Sequence, residues 1–547
     1  LDGWRSLTYG QFLTAVEHIA QSLLDQNLSI DRPVLILSGN DIEHALLALA
    51  CIHVGIPYAP ISQAYSLISK DHSKLKDIVN LLNPGLIFAA DGKIFDKAIA
   101  AVATENVQIF VTANPANPSQ KLFAELQDTT ISNDVAKAHE AIVPDTIAKF
   151  LFTSGTTGSP KAVINTNGMI CANQAMVSDC YAFMRDTPPI VLDWAPWNHT
   201  AGGNKVFFMV MFNGGTLYID DGRPTPQDMA KTVRNLRDVA PSWYFNVPKG
   251  FEELVRELEA DDTLRDHFFS RMNMLMYSGA ALAKHTWNAL QRLSVEATQT
   301  RVLIASGLGA TETSPFALMC TWENDEAGNV GLPAKGMVLK LVPTEGKLEA
   351  RLKGPNITPG YWKEPKLTAA AFDEEGFYQL GDALRFADPK DASKGFHFDG
   401  RTAENFKLRS GTWVGVGALR GNFINHFAGM ARDVVLTGLN EGFIGALVLP
   451  NLDKCREISG LDKTASMADL AANPSVIDAF SQALTSLAKS STGSSTKICR
   501  MIIMDTMPSV DKGEVTDKGS LNQRAVLNHR AVLVAEIYAG SDRVLEL

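Results

Sequence analysis

Short apolar runs alternate with amphipathic segments along the chain up to about residue 305. The run Arg32–Leu37 predicts a strand, and the apolar residues of Asp41–Val54 recur at helical spacing, which predicts a helix that buries one face. The same two patterns predict strands at Leu86–Ala89, Val107–Val111, Ile190–Asp193, Met272–Tyr277 and Arg301–Ala305, and helices at Met229–Val239, Gly250–Glu259 and Lys284–Leu293. This alternation indicates an α/β fold of parallel sheets covered by helices.

Beyond about Gly309 the apolar runs become shorter and are interrupted by Gly and Pro, which predicts a small β subdomain. The polar segment Ala387–Gly395 has no periodicity and predicts a loop shortly before a domain boundary. We therefore predict a large N-terminal domain over residues 1–399, a hinge at 400–404 and a smaller α+β C-terminal domain at 405–547. A chain of 547 residues is too long for a single hydrophobic core, which agrees with this division.

Composition narrows the class of protein. Apolar residues make up 46% and charged residues 20% of the chain, as is usual for a globular enzyme. The net charge of −10 argues against a general nucleic-acid partner, and no uncharged apolar run reaches membrane-spanning length. The 6 cysteines form no Cys-x-x-Cys pair, which argues against a zinc site or disulfide framework and predicts a cytoplasmic location.

A candidate phosphate loop follows the predicted strand Ile147–Phe152. Its glycines let main-chain N–H groups approach phosphate oxygens, while its hydroxyls and terminal lysine add donors and a positive charge. It is not a Walker A loop, because Pro160 and Ala162 stand where that motif requires Gly and Ser or Thr. The alternative is an ordinary polar surface loop. The candidate ligands are Thr153, Ser154, Gly155, Thr156, Thr157, Gly158 and Lys161.

This loop resembles the phosphate loop of adenylate-forming enzymes, the superfamily of acyl-CoA synthetases, non-ribosomal adenylation domains and luciferases. The segment Ser306–Glu312 resembles the second nucleotide motif of that superfamily, although alone it could simply cap a helix. The resemblance implies that Glu312 holds Mg²⁺, a cation that prefers oxygen ligands, and that Thr311 contacts the α-phosphate. Relatives commonly carry an aromatic residue where Leu308 stands. The implied nucleotide contacts here are Leu308, Gly309, Ala310, Thr311 and Glu312.

Two further segments complete the implied ATP site. The resemblance assigns the small residues Gly279, Ala280 and Ala281 to the adenine face, although such residues at a strand end usually mean close helix packing. A carboxylate suits a ribose because it accepts hydrogen bonds from both hydroxyls. The resemblance therefore makes Asp382 the ribose ligand with Arg401 as a second contact, whereas a lone Gly-Asp is typical of a turn.

The segment Ala195–Asn204 is implied to line the acyl site, with His199 as a gate between the acyl pocket and the thiol channel. A single histidine is more often structural than catalytic. The implied substrate contacts are Trp197, Asn198, His199, Gly202, Asn204 and Gly307, and further walls of the pocket are Met209–Phe212, Tyr244–Val247 and Phe316.

The superfamily also supplies a lysine near its C-terminus that stabilises charge on the α-phosphate and the departing pyrophosphate. In Pro508–Gln523 the usual context of that lysine is absent, so the alternatives are Lys518 and Lys512, of which we favour Lys518. The resemblance thus implies catalytic roles for Lys518, Thr153, His199 and Glu312. The sequence after Arg401 also departs from the usual hinge and predicts a modified one.

Long stretches, including Val34–Ser66, Trp194–Gly203 and Gly513–Leu527, resemble bacterial feruloyl-CoA synthetases. The resemblance implies ATP, Mg²⁺ and coenzyme A, and a small carboxylic acid such as ferulate, p-coumarate or caffeate. The acid would form an acyl-adenylate and then pass to coenzyme A. The alternatives are a fatty or benzoic acid, a carrier-protein acceptor, and a catalytically weak nucleotide-binding sensor. The oligomeric state stays open, with a homodimer as one alternative.

Overall fold

The fold is taken from a computed structural model, which describes residues 3–154, 159–324, 327–344, 346–427, 429–515 and 521–547. Residue contacts divide the chain into two compact units. The first comprises Leu1–Leu341, Ala350–Leu380 and Arg385–Phe398, and the second comprises Val342–Glu349, Gly381–Leu384 and Asp399–Leu547.

The first unit begins with a mainly parallel sheet. Its strands are Val34–Ile36 (β1), Tyr58–Pro60 (β2), Leu86–Asp91 (β3), Gln108–Ala113 (β4), Gln120–Leu122 (β5), Ile147–Ser154 (β6) and Pro160–Thr166 (β7). The sheet order is β5-β4-β3-β1-β2-β6-β7, and β7 returns antiparallel to β6 whereas the other neighbours are parallel. The sheet therefore ends in an antiparallel pair, and the facing ends of β6 and β7, Ser154 and Pro160, belong to the candidate phosphate loop.

Helices cover this sheet: Tyr9–Asp25 (α1), Ile42–His53 (α2), Gln63–Leu67 (α3), Ser73–Leu82 (α4), Asp96–Val102 (α5), Ala124–Gln127 (α6) and Asn133–Glu140 (α7). The side chains of Thr8 and Asp41 accept backbone N–H bonds and so fix the starts of α1 and α2. Apolar residues of both helices, such as Ile19 and Leu47, are fully buried with Val34 of β1. The amphipathic pattern thus becomes one helix–sheet core.

The first unit continues with two further sets of parallel strands. Ile190–Asp193 (β8) pairs with Thr216–Ile219 (β9), and Trp243–Asn246 (β10), Met274–Tyr277 (β11) and Leu303–Ala305 (β12) lie side by side. The accompanying helices are Asn167–Cys180 (α8), Phe183–Asp186 (α9), Phe207–Phe212 (α10), Pro226–Asp238 (α11), Pro248–Ala260 (α12), Asp262–Phe269 (α13) and Lys284–Thr298 (α14). A π-helix, Ala201–Val206, leads directly into α10.

Short antiparallel strands follow, as the Gly- and Pro-rich sequence predicts. Gly307–Leu308 (β13), Leu318–Met319 (β14) and Asn329–Pro333 (β15) pair in turn. After them come Val338–Thr344 (β16), Lys347–Lys353 (β17), helix Pro365–Ala371 (α15), Tyr378–Phe386 (β18) and Phe396–Arg401 (β19). Short 3₁₀ turns occur at Thr311–Thr313, Ala392–Lys394 and Thr402–Glu404.

The second unit has its own α+β core. Its later strands are Phe406–Lys407 (β20), Trp413–Val414 (β21), Ala431–Thr437 (β22), Ile444–Pro450 (β23), Ile498–Ile503 (β24) and Leu545–Glu546 (β25), of which the last four form a sheet in chain order. Its helices are Val416–His426 (α16), Leu452–Ser459 (α17), Met467–Ala471 (α18), Pro474–Lys489 (α19), Gln523–His529 (α20) and Ala531–Ala539 (α21). Phe423 and Phe427 stack with ring centroids 3.9 Å apart and pack with Phe480 in the core.

The predicted α/β class is confirmed, and the predicted strands and helices agree with the structure except at their ends. Helix α14, for example, runs on to Thr298, five residues past its predicted end at Leu293. The strand β18 has no counterpart in the prediction, because its sequence carries Gly381 and Asp382, two residue types that disfavour strands. Among the described residues, no helix has the length and apolar character needed to span a membrane.

Candidate functional site

The β6–β7 hairpin carries the candidate phosphate loop. Thr153, near the end of β6, lies opposite Lys161 in the antiparallel register. The central residues Gly155, Thr156, Thr157 and Gly158 lie outside the described residues, as does the side chain of Ser154. The hairpin thus places the hydroxyl-bearing end of one strand beside the lysine that begins the next.

Glu312 lies in the 3₁₀ turn Thr311–Thr313 and is 8% exposed. The hydroxyl of Tyr361 donates a hydrogen bond to its Oε1 over 2.9 Å. Burial, and then the negative charge of Glu312, raise the pKa of Tyr361, so its hydroxyl remains a donor at neutral pH. The same two causes raise the pKa of Tyr378. Neutral phenols therefore surround the carboxylate.

Tyr361 also contacts the phosphate-loop lysine. The Nζ of Lys161 lies 4.8 Å from the centroid of the Tyr361 ring, within the range of a cation–π interaction. One aromatic side chain thus touches both Glu312 and Lys161. These two residues are separated by about 150 positions in the sequence, and the fold brings them around a single ring.

The segment around Tyr361 is held against β7 by backbone hydrogen bonds. The N–H of Ile164 donates to Gly360 O over 3.1 Å, and the N–H of Trp362 donates to Ala162 O over 2.9 Å. On the other side, the N–H of Thr358 donates to Glu312 O over 2.9 Å. This segment therefore fixes Glu312 relative to the hairpin. Sequence reasoning missed Tyr361, and the only local signal was the Thr-Pro-Gly-Tyr turn that contains it.

The described residues around Glu312 fit Mg²⁺ in one particular way. No group of three or more His, Cys, Asp or Glu side chains able to hold a metal occurs in the part of the chain that the structure describes. Mg²⁺ is commonly bound through one or two carboxylates together with substrate phosphates and waters, rather than by an all-protein cage. A buried carboxylate near the phosphate loop matches that arrangement.

The two segments implied to contact adenine leave neighbouring parallel strands. Gly279, Ala280 and Ala281 follow β11 and are exposed, and Gly279 has φ +87°. The motif that starts at Ser306 follows β12, which pairs with β11. Because carboxyl ends of parallel strands share one edge of a sheet, both segments lie at the same edge, where α/β folds place ligands.

The glycines of the second motif are also required by the chain itself. A Cβ on Gly307 would meet Leu318 O at 2.5 Å, and one on Gly309 would collide with Pro315 O. Leu308 is half-buried in the strand between them, while Thr311 is buried. Ala310 N–H donates to Thr313 Oγ1 over 2.9 Å and closes the turn. Tight antiparallel pairing thus explains these glycines without reference to a ligand.

Asp382 and Arg401, the residues implied to contact the ribose, lie together in the second unit. Arg401 Nε is 3.6 Å from Asp382 Oδ1, with the arginine side chain 68% and the aspartate side chain 14% exposed. Thr402 Oγ1 donates to Gly381 O over 3.0 Å, which ties the following turn to the same strand.

The segment before the π-helix holds the candidate gate. Ala201 N–H donates to His199 Nδ1 over 3.3 Å, and Gly203 N–H donates to His199 O over 2.8 Å. Trp197 is buried with its ring edge-on to His44 at 5.0 Å, while Asn198 is half-buried. His199 is therefore fixed in orientation by the helix that follows it.

Two of the residues implied to contact the substrate, Gly202 and Asn204, make close contacts within the protein instead. A Cβ on Gly202 would collide with Ala195 O, so this glycine permits close backbone approach. Asn204 is fully buried, and its Nδ2 donates to Asn165 Oδ1 over 2.8 Å and to Thr200 Oγ1 over 3.2 Å. These contacts give Gly202 and Asn204 clear structural roles.

Sequence reasoning missed two buried lysines next to the π-helix. Lys149 Nζ donates to Gly203 O over 2.8 Å, and Lys205 Nζ donates to Tyr181 Oη over 2.8 Å. Burial lowers the pKa of each lysine to about 7. The signal available in the sequence was a lysine inside the apolar run Ile147–Phe152 and another directly before the apolar run of α10.

The favoured C-terminal lysine, Lys518, lies outside the described residues. The segment just before it is anchored by a buried ion pair, in which Arg530 Nε is 2.9 Å from Glu514 Oε1. Burial alone would raise the pKa of Glu514, but the hydrogen bonds from Arg530 and from the N–H of Ser509, together with the nearby positive charges, outweigh it and hold the pKa below its usual value. The alternative, Lys512, is exposed.

Comparisons with known proteins show the family to which the chain belongs. The model of a family described as AMP-binding enzyme matches residues 1–362. The phenylacetyl-CoA ligase epaB of Aspergillus niger is 27% identical over 456 residues, which cover 80% of this chain and 80% of that protein. A 3-hydroxybenzoate–CoA ligase of Aromatoleum sp. is 25% identical over 469 residues, covering 83% of this chain and 82% of that protein.

The fold is shared with the crystal structure of ATP-bound MatB from Rhodopseudomonas palustris. That match has a TM-score of 0.69 at 18% sequence identity and covers 99% of this chain and 98% of the other. Since the family model also matches well over half of the sequence, the chain belongs to the AMP-binding enzyme family, within the superfamily of adenylate-forming acyl-CoA ligases.

Proposed function

We propose that this protein is an ATP-dependent ligase that activates an aryl-propenoic acid, such as ferulate, p-coumarate or caffeate, and transfers it to coenzyme A. The observation that carries the proposal is the convergence of Glu312 and Lys161 on Tyr361, since it joins the two nucleotide motifs into one charged site. Such a site suits the polyphosphate of ATP.

The chemistry proceeds in two half-reactions. The substrate carboxylate attacks the α-phosphorus of ATP, and pyrophosphate leaves, which gives a mixed anhydride. The thiol of coenzyme A then attacks the acyl carbon, and AMP leaves. Activation replaces oxide, a poor leaving group, by AMP, a good one.

The residues of the nucleotide motifs bind and orient ATP. In this proposal Lys161 and the hydroxyls of the phosphate loop, with Thr153 at its start, hold the phosphates. Glu312 would hold Mg²⁺, which when bound offsets the negative charge of the phosphates. Tyr361 fixes the Glu312 carboxylate through its hydrogen bond.

Other residues act on the nucleoside and acyl groups. Asp382 and Arg401 bind the ribose, and the segments 279–281 and 308–311 bind the adenine and the α-phosphate. His199 gates the acyl pocket, and Lys518 stabilises charge on the α-phosphate during attack. Among the walls of the pocket, Trp197 and Gly307 remain candidate contacts.

Two observations support an aromatic acid as the substrate. The relatives named above are ligases for phenylacetyl and 3-hydroxybenzoyl groups, so aromatic acids are the substrates that their names give. The segments that resemble feruloyl-CoA synthetases, such as Trp194–Gly203, narrow the proposal to hydroxycinnamates.

The test is pyrophosphate release from MgATP with ferulate, p-coumarate, benzoate, acetate or a medium-chain fatty acid, each with and without coenzyme A. We expect sustained turnover only with a hydroxycinnamate and coenzyme A together. Turnover with only fatty acids, benzoate or acetate would retain the ligase chemistry and contradict the substrate. Turnover that requires a carrier protein instead of coenzyme A would show that the carrier protein is the acceptor. If no acid leads to pyrophosphate release, the protein is better explained as a nucleotide sensor.

The catalytic lysine has its own prediction. Lys518→Ala should lower the rate of adenylate formation by on the order of 10²- to 10³-fold, because it removes a charge that acts in the transition state. Thioester formation from a supplied acyl-adenylate should continue. The matched control is Lys512→Ala, in the same segment. If that variant loses adenylation while Lys518→Ala does not, the assignment passes to Lys512.

A further inference from the structure

Lys205 is a buried cation on the π-helix that the reaction described above does not use. The residue is 3% exposed. Its Nζ donates to Tyr181 Oη over 2.8 Å and also contacts Met276 Sδ. An ammonium group has three donors, whereas a phenol oxygen and a thioether sulfur are neutral acceptors, the latter a weak one. The buried charge is therefore only weakly compensated.

Three aromatic rings also face its ammonium group. Lys205 Nζ lies 4.9 Å from the ring centroid of Phe316, 5.2 Å from that of Tyr181 and 5.9 Å from that of Trp243. Within the described ranges, no carboxylate forms an ion pair with Lys205. Burial of a charge without an opposite charge is costly, and burial accordingly lowers the pKa of Lys205 to about 7. A ligand oxygen that accepts a hydrogen bond from Nζ would stabilise the protonated lysine.

A short series of contacts connects Lys205 to the acyl side of the site. Gly307, an implied substrate contact, pairs with Met319 across β13 and β14, and a Cβ on Gly307 would meet Met319 Sδ at 2.9 Å. Tyr181 Oη lies 3.5 Å from that same sulfur. Met319 thus connects Gly307 to Tyr181, and Tyr181 contacts Lys205.

The second buried lysine of this region, Lys149, has a structural role and serves as a comparison for Lys205. Lys149 Nζ donates to a backbone carbonyl of the π-helix, Gly203 O. Its charge also faces the rings of Tyr58 and Phe208 at 5.5 and 4.9 Å. Lys149 therefore supports the helix backbone, whereas Lys205 donates to no backbone carbonyl in the part of the chain that the structure describes.

We propose that Lys205 and Tyr181 form the polar end of the acyl pocket and bind the ring oxygen, hydroxyl or phenolate, of a hydroxylated aromatic acid. This inference rests on the proposed function, whose aromatic acid it orients. The aromatic rings around Lys205 would pack on the ring of the substrate. The substrate oxygen would accept a hydrogen bond from Nζ and so provide the partner that the protein lacks.

The test compares 4-hydroxycinnamate with cinnamate and 4-carboxycinnamate, using kcat/KM for pyrophosphate release in the presence of coenzyme A. The wild-type protein should prefer 4-hydroxycinnamate over cinnamate. Lys205→Met keeps the length and volume of the side chain and removes its donors. We expect it to reduce this preference by on the order of 10- to 100-fold, because the substrate hydroxyl then lacks its partner.

Two further variants separate recognition from structure. Lys149→Met removes an equally buried lysine, which lies on β6 and contacts the same π-helix, and we expect it to leave the ratio between the two acids unchanged. Tyr181→Phe should reduce the ratio in the same direction as Lys205→Met. Because a ratio of two substrates is measured on the same folded molecules, a loss of folded protein alone does not alter it.

The outcomes distinguish the two proposals. If hydroxycinnamates are substrates and Lys205→Met leaves the ratio unchanged, the role of Lys205 is wrong while the proposed function stands. A wild-type preference for 4-carboxycinnamate would contradict a ring hydroxyl as the group that is bound. If no aromatic acid is activated, the proposed function itself fails.

Discussion

The region around Glu312 and the region around the π-helix both contain buried ionisable side chains, but these side chains differ in their partners. Glu312 accepts a hydrogen bond from Tyr361, and the cation of Lys161 lies over the same ring. Beside the π-helix, Lys149 and Lys205 have no carboxylate as an ion-pair partner within the described residues, and burial lowers the pKa of both. One region brings a carboxylate and a lysine to a single aromatic ring, and the other contains buried lysines among neutral groups.

This difference agrees with the proposed roles of the two regions, nucleotide binding around Glu312 and acyl-group binding beside the π-helix. A nucleotide is common to all members of the family, so its contacts can be fixed by short motifs and one supporting aromatic residue. The acyl group varies between family members, such as the phenylacetyl and 3-hydroxybenzoyl ligases named above. Its recognition therefore depends on side chains such as Lys205, which no short motif predicts.

The largest expected effect is at Glu312. Glu312→Gln keeps the shape of the side chain and removes its charge, so adenylate formation should fall by on the order of 10²- to 10³-fold at fixed Mg²⁺. Pyrophosphate release measures the loss. The matched control is Glu253→Gln, another buried glutamate, which forms ion pairs with Lys249 and Arg256 away from the nucleotide motifs. An equal loss in both variants would contradict a specific role for Glu312.

A smaller effect is expected at the residue that joins the two motifs. Tyr361→Phe removes the hydrogen bond to Glu312 but keeps the ring under Lys161. Because the carboxylate is then less well fixed, the apparent affinity for Mg²⁺ should fall by roughly 10- to 100-fold, and added Mg²⁺ should restore most of the rate. Activity titrated against Mg²⁺ measures this.

The control for that variant removes a tyrosine hydroxyl elsewhere. Tyr9 Oη donates to Gly215 O over 2.9 Å, far from the nucleotide motifs in the sequence, and Tyr9→Phe should leave the Mg²⁺ titration unchanged. A loss of maximal rate in Tyr361→Phe that Mg²⁺ cannot restore would contradict the positioning role.

The same contrast explains what the sequence could predict. The phosphate loop and the motif at Glu312 were recognisable because their residues are neighbours in the chain, and the alternating pattern placed β8, β11 and α2 within a few residues. Tyr361 meets Glu312 across 49 positions, and Lys149 meets Gly203 across 54. Periodicity and motif spacing carry no information about such contacts, because these depend on how separate elements pack.

Strand β18 was missed for a different reason. Its strand geometry is imposed by neighbouring strands, which override the local preference of Gly381 and Asp382 for a turn. The same two residues carry the motif that predicts a ribose contact, which stays a prediction.

The smallest expected effect concerns stability and pH at Lys149. Burial lowers the pKa of this lysine from 10.5 to about 7, so between these values the unfolded chain binds a proton that the folded protein does not. The free energy of unfolding should therefore rise as the pH increases from about 7 towards 10. One such group contributes at most about 1.4 kcal/mol per pH unit. Below pH 7 this contribution is lost, because the folded protein must bury a charge.

Lys149→Met removes this contribution, so the rise in the free energy of unfolding with pH should become less steep, and the pKa of Lys205 should account for a similar part that remains. Urea unfolding at pH 7, 8.5 and 10 measures the slope. Lys137→Met is the control, because its side chain is 66% exposed and its removal should leave the slope unchanged. A slope in Lys149→Met equal to that of the wild type would mean that this lysine keeps its proton in the folded protein. The charge beside Gly203 would then be permanent, and the contrast with the Glu312 region would rest on Lys205 alone.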